Sequence, residues 1–180
     1  MNPKVSILIP VYNVSAYIQK CAYSLFEQTF RDEVEYVFVN DATPDNSMEK
    51  LLEGIEKYPF LQDKIRIIQH EQNKGLASAR KTALSHATGD YVLVVDSDDY
   101  IDPDMVEVLY SEAVSHNADI VVSDIIMEYG DRTVYRTDYL SDDPAEHFRD
   151  IVLDEASHSY LCNKLIRRTL YNRNECQPPD

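Results

Sequence analysis

At 180 residues with 44% apolar side chains, the chain is long enough for one domain with a continuous core and too short for two comfortable ones. Its formal charge of −15 excludes nucleic acid and an anionic membrane surface as main partners, because both would repel it, and an anionic substrate would need a cation to mediate. Cys21, Cys162 and Cys176 are odd in number, far apart and without metal-ligand spacing, so they read as reduced thiols of a cytoplasmic protein, and no segment approaches the roughly 20 apolar residues that cross a bilayer.

Val5 to Ile9 is predicted as a strand ended by Pro10, which has no N–H to give to a central ladder. Ser15 then caps a helix with Ile18, Ala22, Leu25 and Phe26 at helical spacing. Val34 to Val39 is a second strand, followed by a polar loop from Asn40 to Ser47 and a helix with Met48, Leu51, Leu52 and Ile55 on one face. Asp45 reads as the cap of that helix. Ile65 to Ile68 is a third strand, and Gly75 opens a helix with a small face of Ala79, Ala83 and Ala87, closed by Gly89 as a C′ residue.

Tyr91 to Val95 reads as a strand buried on both faces, and three carboxylates, Asp96, Asp98 and Asp99, follow within four residues. If the extended conformation persists, Asp96 and Asp98 point to one side and can share a cation; a turn that caps the next segment accounts equally well for them in isolation. Asp102-Pro103 supplies a cap and first-turn proline for a helix burying Val106, Leu109, Tyr110 and Ala113, and Ala118 to Asp124 reads as a fifth strand. Beyond it, Arg132 to Tyr135 is a short antiparallel strand, Pro144 to Leu153 a helix, and Asn163 to Tyr171 a basic helix or turn. Strands alternating with helices imply a mostly parallel, doubly wound α/β sheet, whose loops after Ile9, Val39, Ile68 and Val95 converge on one edge. Residues 1–125 are expected to form the binding core, and 126–180 the start of a second region within a single domain, which the resemblance described next makes the acceptor side.

Four ordered motifs meet on that edge. They are Pro10-Val11-Tyr12-Asn13, Asn40-Asp41-Ala42-Thr43-Pro44-Asp45, Asn73-Lys74-Gly75-Leu76-Ala77-Ser78-Ala79-Arg80 and Asp96-Ser97-Asp98. Together with Cys162-Asn163-Lys164-Leu165-Ile166, they resemble the donor site of the family-2 glycosyltransferases of the GT-A fold, to about Arg173. The resemblance implies an inverting transfer from a nucleoside diphosphate sugar, uridine-based, to a glycan or lipid-linked hydroxyl in a polysaccharide setting, in the cytoplasm or at the inner face of the membrane. It implies donor contacts from Pro10, Tyr12, Asn13, Asp41, Asn73, Gly75, Arg80, Asp96, Ser97 and Asp98. Tyr12 would be the base's platform and Asp41 the acceptor for its ring N–H, while Arg80 would orient that carboxylate or touch the diphosphate. Mg²⁺ or Mn²⁺ is implied at Asp98, with Asp96 and Asp99 as further candidates, since hard oxygen ligands suit those ions.

Two departures stand out. The family's Asp-Gly-Ser becomes Asp41-Ala42-Thr43, which gives up a glycine and keeps a hydroxyl. No Glu-Asp pair follows Lys164, so the general base is expected beyond Asp180, in a chain that reads as truncated. A metal-dependent phosphatase would carry Asp-x-Asp after its first strand rather than its fourth, and a dinucleotide-dependent dehydrogenase would need a glycine-rich first loop that a chain with four glycines lacks. The alternative reading is a non-catalytic nucleotide-sugar binding module.

Overall fold

The computed structural model describes residues 3–138, 141, 143, 145–146, 149–150 and 159–172. The strands β1 (Val5–Val11), β2 (Val34–Asn40), β3 (Ile65–Gln69) and β4 (Tyr91–Val94) run parallel in the spatial order β3-β2-β1-β4. They alternate with helices α1 (Ile18–Phe26), α2 (Ser47–Glu56) and α3 (Leu76–His86). After α4 (Met105–Ser115) come β5 (Ile120–Val122), the hairpin of β6 (Ile125–Tyr129) and β7 (Arg132–Arg136), and β8 (Lys164–Arg167).

Alternation along the central strands sorts their apolar residues onto two faces. Val5, Ile7, Ile9, Tyr36, Phe38 and Leu93 pack against α1, α2 and α4 through Leu25, Phe26, Leu51, Val106 and Leu109. Leu8, Val37, Val39, Val92 and Val94 pack against Ala79 and Ala83 of α3. Helices therefore cover both faces, and the expected doubly wound α/β sheet is present. Because the chain passes from β3 back across to β4 on the far side of β1, the order reverses between β1 and β4, where such sheets form a crevice.

Several local expectations are corrected. β1 does not end at Pro10 but runs on to Val11, paired with β2 throughout. The missing N–H is harmless there: Leu8 faces β4, accepting from Val95 N–H at 3.0 Å, and Pro10, two residues on, points the same way after the pairing with β4 has stopped. Ser15 does not cap α1, which begins at Ile18; its backbone N–H donates instead to Asp45 Oδ2 at 2.9 Å. Likewise α4 begins at Met105 because the carbonyl of Asp102 is taken by Met105 N–H and Gln28 Nε2, at 3.1 and 2.7 Å. Leu52 is 49% exposed, and Gly54 takes its place on the buried face of α2.

Gly89 is not a left-handed C′ residue; a Cβ there would stand 2.8 Å from Ser6 N, so its absent side chain lets the β4 approach lie against β1. The largest correction lies at the sheet's other side. Lys164–Arg167, expected as a helix or turn, is a strand inserted antiparallel between β4 and β5, with Leu165 fully buried. Arg132–Arg136 is a strand as expected, paired with a strand from Ile125 that the sequence reading leaves out. The helix expected over Pro144 to Leu153 falls largely outside the described residues, as do Cys176 and Asp180.

Candidate functional site

The loops after β1 and β2 are laced together. Backbone N–H groups of Asn13, Val14 and Ser15 donate to Thr43 Oγ1, Ser47 Oγ and Asp45 Oδ2, at 2.7, 3.0 and 2.9 Å. Asp45 also accepts from the Thr43 hydroxyl and from the backbone and hydroxyl of Ser47, so it links helix α2 to both loops, and the cap position expected of it is held by Asn46. Burial alone would raise its carboxyl; the Ser47 and Thr43 hydroxyls and the two backbone donors hold it far below the usual carboxylate range. Asn13 and Ala42 both sit at φ 55°, a left-handed conformation that costs an alanine about 1 kcal/mol. Position 42 would favour glycine but holds alanine at that cost, and the retained Thr43 hydroxyl is what secures Asn13. This lacing presents Tyr12 at the edge, 46% exposed.

Asp41 stands behind that edge, 2% exposed. Its Oδ1 accepts from His70 Nδ1 at 2.6 Å and Lys74 N–H at 2.9 Å, and its Oδ2 from Gly75 N–H at 2.8 Å. Burial pushes the carboxyl up, but the His70 hydrogen bond and the two backbone donors outweigh it and keep Asp41 below the ordinary value. It is therefore an ionised, acceptor-only group at neutral pH, with about four lone-pair positions of which three are filled. Gly75, at φ 85° and ψ 163°, adopts a backbone conformation reserved to glycine, and this aims its N–H at Asp41; Asn73 Oδ1 accepts from the same N–H at 3.1 Å. His70 itself follows β3 directly, and the sequence reading missed it. Its position at the converging edge was the available signal.

Arg80, one turn into α3, orients no base-binding carboxylate: its Nη2 donates to both oxygens of Asp96, at 2.6 and 2.9 Å. Its Nε is buried and has no acceptor among the described residues. The extended conformation that would put Asp96 and Asp98 on one side does not persist, because β4 ends at Val94 and Asp99 N–H closes a turn onto the Asp96 carbonyl at 3.0 Å. The turn brings Asp96 and Asp99 together instead, with Ser97 buried beneath and Asp98 exposed.

Cys162 joins them: one ligand atom each from Asp96, Asp99 and Cys162 all lie within 4.8 Å of one another. The thiol thus belongs to the acidic cluster after all, delivered by the chain entering β8. Burial, then the carboxylates of Asp98 and Asp96, raise Asp99; burial, then Asp99 and Asp96, push Cys162 up to about 11. Such mutual repulsion is what a divalent cation relieves, and the oxygens of Asp96 and Asp99 suit Mg²⁺ or Mn²⁺, whereas the Cys162 sulfur is too soft a donor for either; Asp98 lies outside this three-residue group. Asn163 and Lys164 turn away from this cluster, to Ser123 and Asp138.

Comparisons with known proteins agree with this fold. The sequence model of Glycosyl transferase family 2 matches residues 6–174. Uncharacterized glycosyltransferase EpsJ of Bacillus subtilis (strain 168) is 42% identical over 135 residues, covering 75% of this chain and 38% of that protein. Putative glycosyltransferase EpsH of the same organism is 30% identical over 182 residues, 99% of this chain and 51% of that one. The crystal structure of S. aureus TarS 1–349 in complex with UDP-GlcNAc superposes with a TM-score of 0.77 at 28% identity, over 98% of this chain and 48% of TarS. The chain spans about half, or less, of the length of these proteins.

Proposed function

The chain belongs to glycosyl transferase family 2, and on that footing we propose that it transfers a sugar, with inversion, from a nucleoside diphosphate donor to a hydroxyl of a glycan or lipid-linked acceptor. The donor is uridine-based. The observation that carries this reading is Asp41, an ionised carboxylate with one acceptor position left, set on the same sheet edge as the acidic turn from Asp96 to Asp99. The UDP-GlcNAc bound by TarS supports it.

Tyr12 gives the base an exposed aromatic face and Asp41 accepts its ring N–H. Arg80 holds Asp96 toward the ribose and sugar hydroxyls, and Pro10, Asn13, Asn73, Gly75 and Ser97 shape the wall between base and diphosphate. Asp98 would join Asp96 and Asp99, whose ligand atoms stand together, in holding Mg²⁺ or Mn²⁺, which would supply Lewis-acid neutralisation of the diphosphate. Residues 1–125, with β8 completing their sheet and Cys162 reaching the acidic turn, make the donor side, and the rest of 126–180 belongs to the acceptor side. No helix among the described residues is long and apolar enough to cross a membrane, and the proposed setting is polysaccharide synthesis in the cytoplasm or at the inner face of the membrane.

A screen of uridine, guanosine, thymidine and cytidine diphosphates by thermal shift, with and without Mn²⁺, tests the donor half. A uridine response enlarged by Mn²⁺ is expected; equal responses without a metal effect count against it. The alternative reading is donor binding without transfer. Sugar transfer by this chain itself would eliminate it.

A further inference from the structure

His70 is 5% exposed and both its ring nitrogens are engaged, Nδ1 with Asp41 Oδ1 at 2.6 Å and Nε2 with Thr82 Oγ1 at 2.9 Å. A carboxylate only accepts, so Nδ1 carries its proton toward Asp41. The ring is thereby pinned between the loop after β2 and helix α3, two residues from Arg80. With Lys74 N–H also on Oδ1, that oxygen is saturated, and the acceptor position left over belongs to Oδ2, which takes only Gly75 N–H.

We propose that His70 is a positioning residue for base selection: by saturating Oδ1 and stopping rotation of the Asp41 carboxylate, it leaves a single acceptor that takes bases with a ring N–H, such as uracil. Cytosine would bring a ring lone pair against the same oxygen, and a buried polar mismatch of this kind discriminates strongly. Without His70, Oδ1 regains a free lone pair, the carboxylate can turn, and the selection weakens. The inference rests on the reading of Asp41 as the base's acceptor.

The test is calorimetric titration of UDP and CDP into the chain, scored as the ratio of their affinities. His70→Gln places an amide near Thr82 and withdraws the donor from Asp41; its ratio should fall by about tenfold or more. His70→Asn restores a donor where Nδ1 stands and should keep the ratio within about threefold of the original. A general packing defect would weaken both nucleotides alike, and an unchanged ratio in the Gln variant overturns the proposal. If that variant does not fold, Thr82→Val removes the ring's second anchor, and a ratio unmoved there overturns it equally. Asp41→Asn separates the two claims: an unchanged ratio in that variant sinks the acceptor reading, whereas loss in Asp41→Asn without loss in His70→Gln sinks only the role of His70.

Discussion

Replacing Asp45 by Asn removes the charge on which four donors converge: Ser15 N–H, the Thr43 hydroxyl, and the N–H and hydroxyl of Ser47. An amide oxygen can keep the three donors on Oδ1 as neutral bonds, but its N–H₂ then faces the Ser15 N–H that Oδ2 accepts, so one charge-assisted bond is lost and three are weakened. The lost bond is worth about 1.5 kcal/mol or more and the weakening adds to it, and partial exposure of the site trims the sum to about 2–3 kcal/mol. With a urea slope of about 2 kcal/mol/M, the unfolding midpoint should drop by roughly 1 M at pH 7.

The pH dependence has a definite sign. Asp45 is held below its unfolded value by those donors, so its stabilisation is complete above the unfolded pKa of about 3.9 and is lost as pH falls toward the folded one. The gap between native and Asn chains should therefore be widest near neutrality and close below about pH 4. Urea titrations at a series of pH values check both statements. A midpoint shift under about 0.3 M, or a gap that persists undiminished at low pH, would refute the argument that this carboxylate laces the two loops.

Ala42→Gly relieves a left-handed alanine and should stabilise by about 0.5 kcal/mol, the relief of about 1 kcal/mol less the added chain entropy of glycine; a lower melting temperature contradicts this. Gly89→Ala drives a Cβ against the backbone of Val5 and Ser6 and should cost about 2 kcal/mol or more in chemical unfolding, with a near-neutral result showing that the contact can relax. Arg80→Ala breaks a pair whose two side chains are 27% and 28% exposed. Solvent screening keeps the stability change under about 1 kcal/mol, while donor affinity should fall by about tenfold as Asp96 loses its orienting partner; unaltered titration curves would count against that role.

What was legible in the sequence were features that local chemistry decides. Apolar runs at Val5, Val34 and Tyr91, interrupted only by Ser6, Pro10 and Glu35, required strands buried on both faces, and those strands with β3 place the four motif loops on one edge. What was not legible depends on distant partners. Ser15 and Asp102 have the chemistry of helix caps, yet Asp45 and Gln28 claim their backbone groups from other elements. Lys164–Arg167 is too short for its periodicity to decide, and only the neighbouring β4 and β5 make it a strand. The pairing of Asp96 with Asp99 rather than Asp98 follows from where β4 stops and the turn closes, one residue earlier than the apolar run suggests. His70 and Cys162 acquire their places beside Asp41 and Asp96 only through folding.

The central claim is that one edge of this sheet binds a nucleoside diphosphate through a cation held at the acidic turn. Asp98 is exposed and outside the strand, so Asp98→Asn should leave folding intact. Calorimetric titration of UDP into the native and Asn chains, with and without Mn²⁺, tests the claim most directly. The account predicts that Mn²⁺ tightens UDP binding by about tenfold or more in the native chain and has no effect in the folded variant. Metal enhancement that survives the substitution, or none in the native chain, would contradict it.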